Sequence, residues 1–394
     1  MTGKHPELGL MTCRKAGDPP FQEAATCSDM SLAASRQGAD LAVFYPEAVQ
    51  NDGTVHPAYL LNRDGTWSAR TILLPRVVLE RTFCSQAEEK TVLRQARSFL
   101  RRQGTIVLSG RVGGKLAVFR CLSLADSLKP HLPSTELFHP KGVVRRLSEQ
   151  RAVFLKPDGG SKGEGCIRIL RSASEYFTAE GRDRQNQPFR KSFSQLRELL
   201  VWLSLFMKGR RYLVQDYLQL TGKKGSPFDL RALVQKDLHG RWALTGIAVR
   251  QGEQGGMTAN LHGGGKALSA QEWLTEEFGS ARTIRLLHQV EKMADQIPLL
   301  LEESFGRLVE LGLDFGVEPD GRLWFLEANS RPGRASFRSI GDADASSLST
   351  SRPVSYALQL TRRMPLPTDR IAPIPLFQSD REKQENGVSF RRIM

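Results

Sequence analysis

Residues 312–333 read GLDFGVEPDGRLWFLEANSRPG, two apolar runs joined by Glu318-Pro319-Asp320-Gly321. That tetrapeptide carries turn chemistry, so the segment predicts a β-hairpin, entered from a helical run LVELGL. The second run ends in Glu327 and Asn329, two positions apart. Side chains two apart share one face of a strand, and the first run can add Asp314. Three hard oxygen donors suit Mg²⁺, which keeps several waters and leans on phosphate oxygens. A solvated hairpin with polar ends is the competing reading of the same letters.

A second motif lies at 153–170, VFLKPDGGSKGEGCIRIL. An apolar strand delivers Lys156, a loop follows with Gly159, Gly160, Ser161, Gly163 and Gly165, and a strand runs from Cys166 to Leu170. Glycines let backbone N–H groups approach an anion closely and tolerate positive φ. A lysine just before the loop adds a point charge for phosphate oxygens. A surface hairpin loop is the alternative.

Three chemistries are set aside. No G-x-x-x-x-G-K-[ST] occurs, and a P-loop would place its lysine last, before a helix. Asp314-Phe315-Gly316 spells a kinase tripeptide, but no H-R-D precedes it and the lysine comes before the glycines. No Ser-His-Asp pattern is visible.

The order of parts resembles the ATP-grasp superfamily, and within it the YheC/YheD-type endospore coat-associated proteins. The resemblance is carried by LGLMT, GGKLAVFRCLSLADSLKPHLPSTELF at 113–138, the glycine loop, LVQDYLQL with FDLRALVQKD at 213–237, MTANLHGGGKA at 257–267, and LGLDFGVEPDGRLWFLEANSRPGR. It implies an α/β plus α+β chain: an ATP-grasp fold of two α+β subdomains clamping ATP, preceded by a small α/β pre-ATP-grasp domain. It also implies site roles. Lys115 and Lys156 meet the nucleotide phosphates under the lid Gly159–Gly165. Gln215, Asp216, Tyr217 and Leu218 read adenine. Asp229 and Arg231 are an acid–arginine pair at the acceptor site. Arg250 and Asn260 meet the γ-phosphate and an acyl phosphate. Asp314, Glu327 and Asn329 hold Mg²⁺ (or Mn²⁺), and Arg331 faces a substrate carboxylate or phosphate. Glu164 in the lid departs from what phosphates favour. His262 is open to two readings, a base or phosphate contact and a loop histidine bonded to backbone. Lys266 is either a substrate contact or a solvated lysine. The implied activity is an ADP-forming carboxylate–amine (or thiol) ligase acting through an acyl phosphate, spore-associated. The rival is a catalytically silent ATP-binding protein of the spore coat.

Bulk properties frame this. The chain has 394 residues, 40% apolar and 25% charged, as in globular proteins. Five cysteines, at 13, 27, 84, 121 and 166, form no C-x-x-C, which predicts reduced thiols, no zinc site and a cytoplasmic (mother-cell) location, with deposition on the coat implied by the resemblance. No signal-peptide core and no membrane-length apolar run is present. The net charge of +14 suits ATP and an acidic peptide or coat-protein acceptor. Nucleic acid is the rival partner, but the basic clusters lack interleaved aromatics.

The expected domains are 1–128 (pre-ATP-grasp), 129–225 (first grasp subdomain, glycine loop), 226–363 (second subdomain, metal site) and a flexible basic tail, 364–394. Residues 1–32 read as loop-rich apart from Leu8–Met11. Thr178–Lys191 reads as an exposed polar insertion. Helical runs are expected over 270–278 and 282–311, the latter kinked or broken at Pro298. His131 and His139, eight apart in a proline-rich segment, are a weak metal pair.

Overall fold

The computed structural model describes residues 6–84, 86–108, 110–160, 163–254, 256, 259 and 265–364. They divide into two compact units, one formed by the chain up to 107 with the segment from 357 onward, the other by residues 108–356.

In the first unit, β1 (Leu8–Met11) is apolar and wholly buried. It runs parallel to β2 (Leu41–Phe44) and β5 (Val77–Glu80), with Met11 level with Phe44 and Glu80. Continuous apolar runs are what a central parallel strand requires, since both faces are covered. β3 (Thr54–Leu61) and β4 (Trp67–Leu73) extend this sheet antiparallel beyond β2, and β6 (Ile106–Leu108) closes the other edge. Most of α1 (Ala24–Ser35) falls within the stretch expected to be loop. Its sequence, AATCSDMSLAAS, is rich in small residues and lacks an apolar stripe, so periodicity gave no signal. α2 (Ala87–Arg102) buries Leu93, Ala96, Phe99 and Leu100. Its Gln86 N–H donates to Glu89 Oε2 at 3.2 Å, and acids lead while arginines close the helix.

The second unit opens with α3 (Lys115–Leu122) and holds two antiparallel sheets. The six-stranded sheet uses β7 (Thr135–Leu137), β8 (Ala152–Pro157), β9 (Ile167–Arg171), β10 (Phe177–Arg182), β11 (Pro188–Phe193) and β12 (Tyr212–Gln215), in the order β11-β10-β9-β8-β12-β7. α4 (Pro140–Glu149) and α5 (Leu196–Phe206) cover it. The polar stretch 178–191 therefore forms an edge hairpin of this sheet, exposed along β11. Its inward residues Phe177, Ala179 and Gly181 are mostly small, which hid the alternation.

The five-stranded sheet has the order β15-β14-β13-β16-β17, from β13 (Phe228–Lys236), β14 (Trp242–Gln251), β15 (Lys266–Ser269), β16 (Glu310–Val317) and β17 (Leu323–Asn329). α6 (Ala270–Phe278) and α7 (Ser280–Phe305) join it, and α8 (Ala335–Ser339) and α9 (Ala343–Arg363) follow. α7 runs unbroken through Pro298 but stops short of the expected 311. Gly306, at φ 83°, ends it, and Glu310 and Leu311 are already strand. LVELGL is thus not helical.

β13 is buried along its whole length, and its alternation explains why. Phe228, Leu230, Ala232 and Val234 enter the main core with Leu286, Val290, Ile297 and Leu301 of α7. The intervening residues face the other way: Leu233 packs with Phe337 and Ala345, while Asp229 and Arg231 form a charged end.

Candidate functional site

The charged end of β13 is extended sideways by strand register. Asp229 lies opposite Arg250 on β14, Arg231 opposite Asp314 on β16, and Asp314 opposite Glu327 on β17. Five charged side chains thus form one row across four strands. Arg250 Nε and Nη2 donate to the two oxygens of Asp229 at 2.6 and 2.7 Å, and Nη2 lies 2.9 Å from Asp314 Oδ2. Arg231 donates to both Asp314 oxygens, to Oδ2 at 2.9 Å. Asn329 Nδ2 donates to Glu327 Oε1 at 3.0 Å and to Asp314 Oδ2 at 3.3 Å.

Asp314 is only 2% exposed. Burial pushes its carboxyl up, but Arg231 and Arg250 outweigh burial and hold it below the usual carboxylate range. Burial, with the Asp314 charge adding, pushes Asp229 up to about 6 against the pull of Arg250. The two buried acids are therefore not equivalent: Asp314 is the more firmly ionised.

Two lysines face this row. Lys156, on β8 and 8% exposed, donates to the Leu326 carbonyl on β17 at 3.4 Å. Burial, and next the charge of Lys115, lower its pKa to about 8. Lys115, the first residue of α3, donates to the Gly160 carbonyl at 2.8 Å and lies 3.7 Å from Glu327 Oε2. Asp158 sets its position: the Asp158 carbonyl accepts the Lys115 N–H at 3.0 Å, and Oδ1 accepts the Leu116 N–H at 2.9 Å. Gly160, Gly163 and Gly165 have φ of 101°, 75° and 74°, conformations that side-chain-bearing residues rarely adopt. A cavity of about 210 Å³ lies between these parts. Lys115, Lys156, Asp229, Arg250, Asp314 and Glu327 line it, and Phe154, Leu218, Phe228 and Leu326 supply apolar walls.

A family model for YheC/D-like ATP-grasp proteins matches residues 104–360. The chain belongs to the YheC/D-like ATP-grasp family. Its relatives include the endospore coat-associated protein YheC of Bacillus subtilis (strain 168), 30% identical over 290 residues, which span 72% of this chain and 78% of YheC. YheD of the same organism is 26% identical over 319 residues, covering 79% of this chain and 68% of YheD. The crystal structure of the D-cycloserine synthetase DcsG shares the fold, with a TM-score of 0.50 and 12% identity over 90% of this chain and 99% of that one.

In this YheC/D-like ATP-grasp chain, Gln215 ends β12 and Asp216–Leu218 follow it along the cavity. Gln215 Nε2 donates to Thr135 Oγ1 at 2.7 Å. Three residues that the sequence reading passed over hold the surroundings. Arg146, buried on α4, donates through Nε to Asp216 Oδ1 at 2.9 Å, and also pairs with Glu136. Arg168 donates to the Tyr217 hydroxyl at 2.8 Å, with its guanidinium 5.4 Å from that ring's centre. Asp158, described above, is the third. Arg146 left one trace, a charge on the apolar stripe of α4 beside Gly142, Val143 and Leu147.

The remaining expected residues divide. Gly159, Gly160, Gly163 and Glu164 line the cavity. Gly165 sits just below, where a Cβ would come within 2.6 Å of the Tyr212 hydroxyl. Asp229 and Arg231, the expected acid–arginine pair, sit on one strand and are each bonded from a neighbouring one, Asp229 by Arg250 and Arg231 to Asp314. Arg331 follows β17 and is not a lining residue. Lys266 is exposed on the edge strand β15 and is not a lining residue of the cavity. His131 Nδ1 pairs with the Leu323 carbonyl and His139 caps α4, so neither faces the other. Ser161, Asn260, His262 and the tail beyond 364 lie outside the described residues.

Asp314, Glu327 and Asn329 converge, and two carboxylates with one amide are the donor chemistry of a hard divalent cation. The set fits such an ion, with one condition. Both Asp314 oxygens are engaged by Arg231, and Oδ2 also by Arg250, so Glu327 and Asn329 are the less committed donors. Among the described residues no helix is long and apolar enough to cross a membrane.

Proposed function

We infer that this chain is an ATP-dependent carboxylate–amine (or thiol) ligase. One observation carries the reading: Lys115 and Lys156 face Asp229, Arg250, Asp314 and Glu327 across a single cavity floored by a glycine loop, with Arg231 bonded to Asp314 behind them. In the first step a substrate carboxylate oxygen attacks the γ-phosphorus, the bond to the β-phosphate oxygen breaks and ADP leaves. In the second, an amine or thiol attacks the acyl carbon and inorganic phosphate leaves. Such chemistry needs positioning and fixed positive charge more than a protein nucleophile. Lys115 and Lys156 bind the phosphates under Gly159–Gly165. Arg250 and Arg231 orient the transferring group and the acceptor, with Asp229 holding Arg250. Phe154, Leu218 and Leu326 wall the base near Gln215–Tyr217. Glu327 and Asn329, with Asp314, would hold Mg²⁺ or Mn²⁺, which offsets phosphate charge when bound. The spore association of YheC and YheD, and the positive net charge, favour an acidic peptide or coat protein as the acceptor, met in the mother-cell cytoplasm or on the coat.

The test is incubation with Mg-ATP and pools of amino acids, acidic peptides and metabolite extract, reading ADP release and condensed products by mass spectrometry. A product one water lighter than its parts, formed with stoichiometric ADP, supports ligation. Neither ADP nor phosphate from any pool removes it. The saturation of Asp314 by two arginines favours a second reading, a silent ATP-binding coat protein. Calorimetry separates the two, since tight Mg-ATP binding without turnover favours the second.

A further inference from the structure

β1 and β5 run parallel as neighbours, with Met11 level with Glu80, so the chain leaves both strands at the same edge of the sheet. Cys13 follows β1 by two positions and Cys84 follows β5 by four. Their sulfurs lie 3.8 Å apart across a separation of 71 residues. A disulfide needs about 2.05 Å, so the gap is closed by side-chain rotation and a small loop shift rather than by refolding. The two thiols differ in surroundings. Cys13 is 7% exposed and accepts a hydrogen bond from the Phe83 N–H at 3.1 Å, whereas Cys84 is half-buried and open to a small solute. Nothing in the proposed ligase chemistry uses either sulfur.

We propose that Cys13 and Cys84 form a reversible two-electron oxidation site, converted by a peroxide into an intrachain disulfide and restored by a dithiol. The Cys84 thiolate attacks one peroxide oxygen, the O–O bond breaks, and the hydroxide released takes the thiol proton to leave as water. Cys84 is then a sulfenic acid. The Cys13 sulfur attacks the Cys84 sulfur, and its proton leaves with the hydroxyl as a second water. Two thiols and one peroxide give one disulfide and two waters. The buried thiol is the second to react: burial, with the neighbouring Cys84 adding, pushes Cys13 up to about 12, so it is a poor first nucleophile, and the Phe83 N–H steadies charge developing on its sulfur. The product ties together the two loops at the carboxyl edge of the parallel strands, where open α/β sheets place their ligands.

The full chain, treated with low hydrogen peroxide, then alkylated in denaturant and digested, reads the result directly. Two of the five thiols are expected to resist alkylation, and the peptides carrying Cys13 and Cys84 to appear joined and lighter by two hydrogens, separating again with dithiothreitol. In Cys13→Ser, Cys84 should be trapped as its sulfenic acid by dimedone. In Cys84→Ser, Cys13 should stay alkylatable. Five alkylatable thiols after peroxide, or a disulfide that instead involves Cys27, Cys121 or Cys166, would overturn the proposal. The wild-type peptide map decides even if a variant fails to fold.

Discussion

Asp229 and Arg250 lie opposite one another on β13 and β14 and share two hydrogen bonds, of 2.6 and 2.7 Å, in a site where each is 8% exposed. The pair is desolvated, so its two members are worth little separately. Removing one partner leaves a buried charge and costs roughly 3–5 kcal/mol at such sites. Asp229→Ala is expected to lose stability in that range in urea unfolding, and Asp229→Asn less, since the amide oxygen still accepts one N–H. An unchanged midpoint in Asp229→Ala would show that Asp314 alone suffices to hold Arg250.

Glu327 has a different balance. Its side chain is 29% exposed, accepts a hydrogen bond from Asn329 and lies 3.7 Å from Lys115. Glu327→Gln is expected to alter stability by no more than about 0.5 kcal/mol. Its affinity for Mg-ATP should fall by about tenfold or more, the scale on which metal sites respond to altered ligation. The affinity for ATP in excess EDTA should change far less. Calorimetry in both buffers checks this, and equal losses in the two would take Glu327 out of the metal set.

Lys156 makes the fold sensitive to alkaline pH. Its pKa is about 8 in the folded chain and near 10.4 when unfolded. Below pH 8 the side chain is protonated in both states and its burial penalty is fully present. Between about pH 8 and 10.4 the folded state sheds the proton first, the penalty is relieved, and this group's contribution to stability rises by up to about 3 kcal/mol. The difference between wild type and Lys156→Met, measured by urea unfolding on either side of pH 8, isolates it from other titrating groups. Phosphate binding runs the other way: affinity for ATP should fall as pH climbs past 8. A difference that does not vary with pH would place the ammonium in water.

Asp158 tests whether Lys115 is positioned from a distance. Its carboxylate accepts the Leu116 N–H, so Asp158→Ala removes a helix cap and should cost about 1 kcal/mol. Gly114→Ala strikes the same contact from the other side, since a Cβ there would lie 2.9 Å from both Asp158 oxygens. Both variants should weaken ATP binding more than their thermal stability suggests. Lys115→Met should weaken it as much as either. Normal binding in both variants would make the cap structural only.

The hairpin carrying Asp314, Glu327 and Asn329 and the glycine loop were legible because each is local: a turn, a period of two, and residues a few positions apart. ATP-grasp order was legible as well, since Lys115, Lys156, the 215–218 segment and Asp314–Asn329 follow one another along the chain. Partner choice was not. Whether Arg231 meets Asp229 or Asp314 depends on which strands become neighbours, 83 residues apart in sequence for the bonded pair. Arg146, Asp158 and Arg168 escaped for the same reason, acting through bonds to residues 70, 42 and 49 positions away. The hidden hairpin at 177–193 has another cause, inward residues on β10 that are mostly too small to show a period, and the helix end misread at Gly306 a third: Leu308–Leu313 is buried on both faces, and a continuous apolar run does not tell strand from helix.

Arranging these charges by strand alignment couples assembly to competence. Slipping β13 by one position would rotate Asp229 and Arg231 into the greasy side under α7 and bring Phe228 and Leu230 out among the ions. A mispaired sheet would then lose its solubility and its chemistry in the same stroke, so the ionic row acts as a quality check on β-pairing, and no half-functional register is left to accumulate.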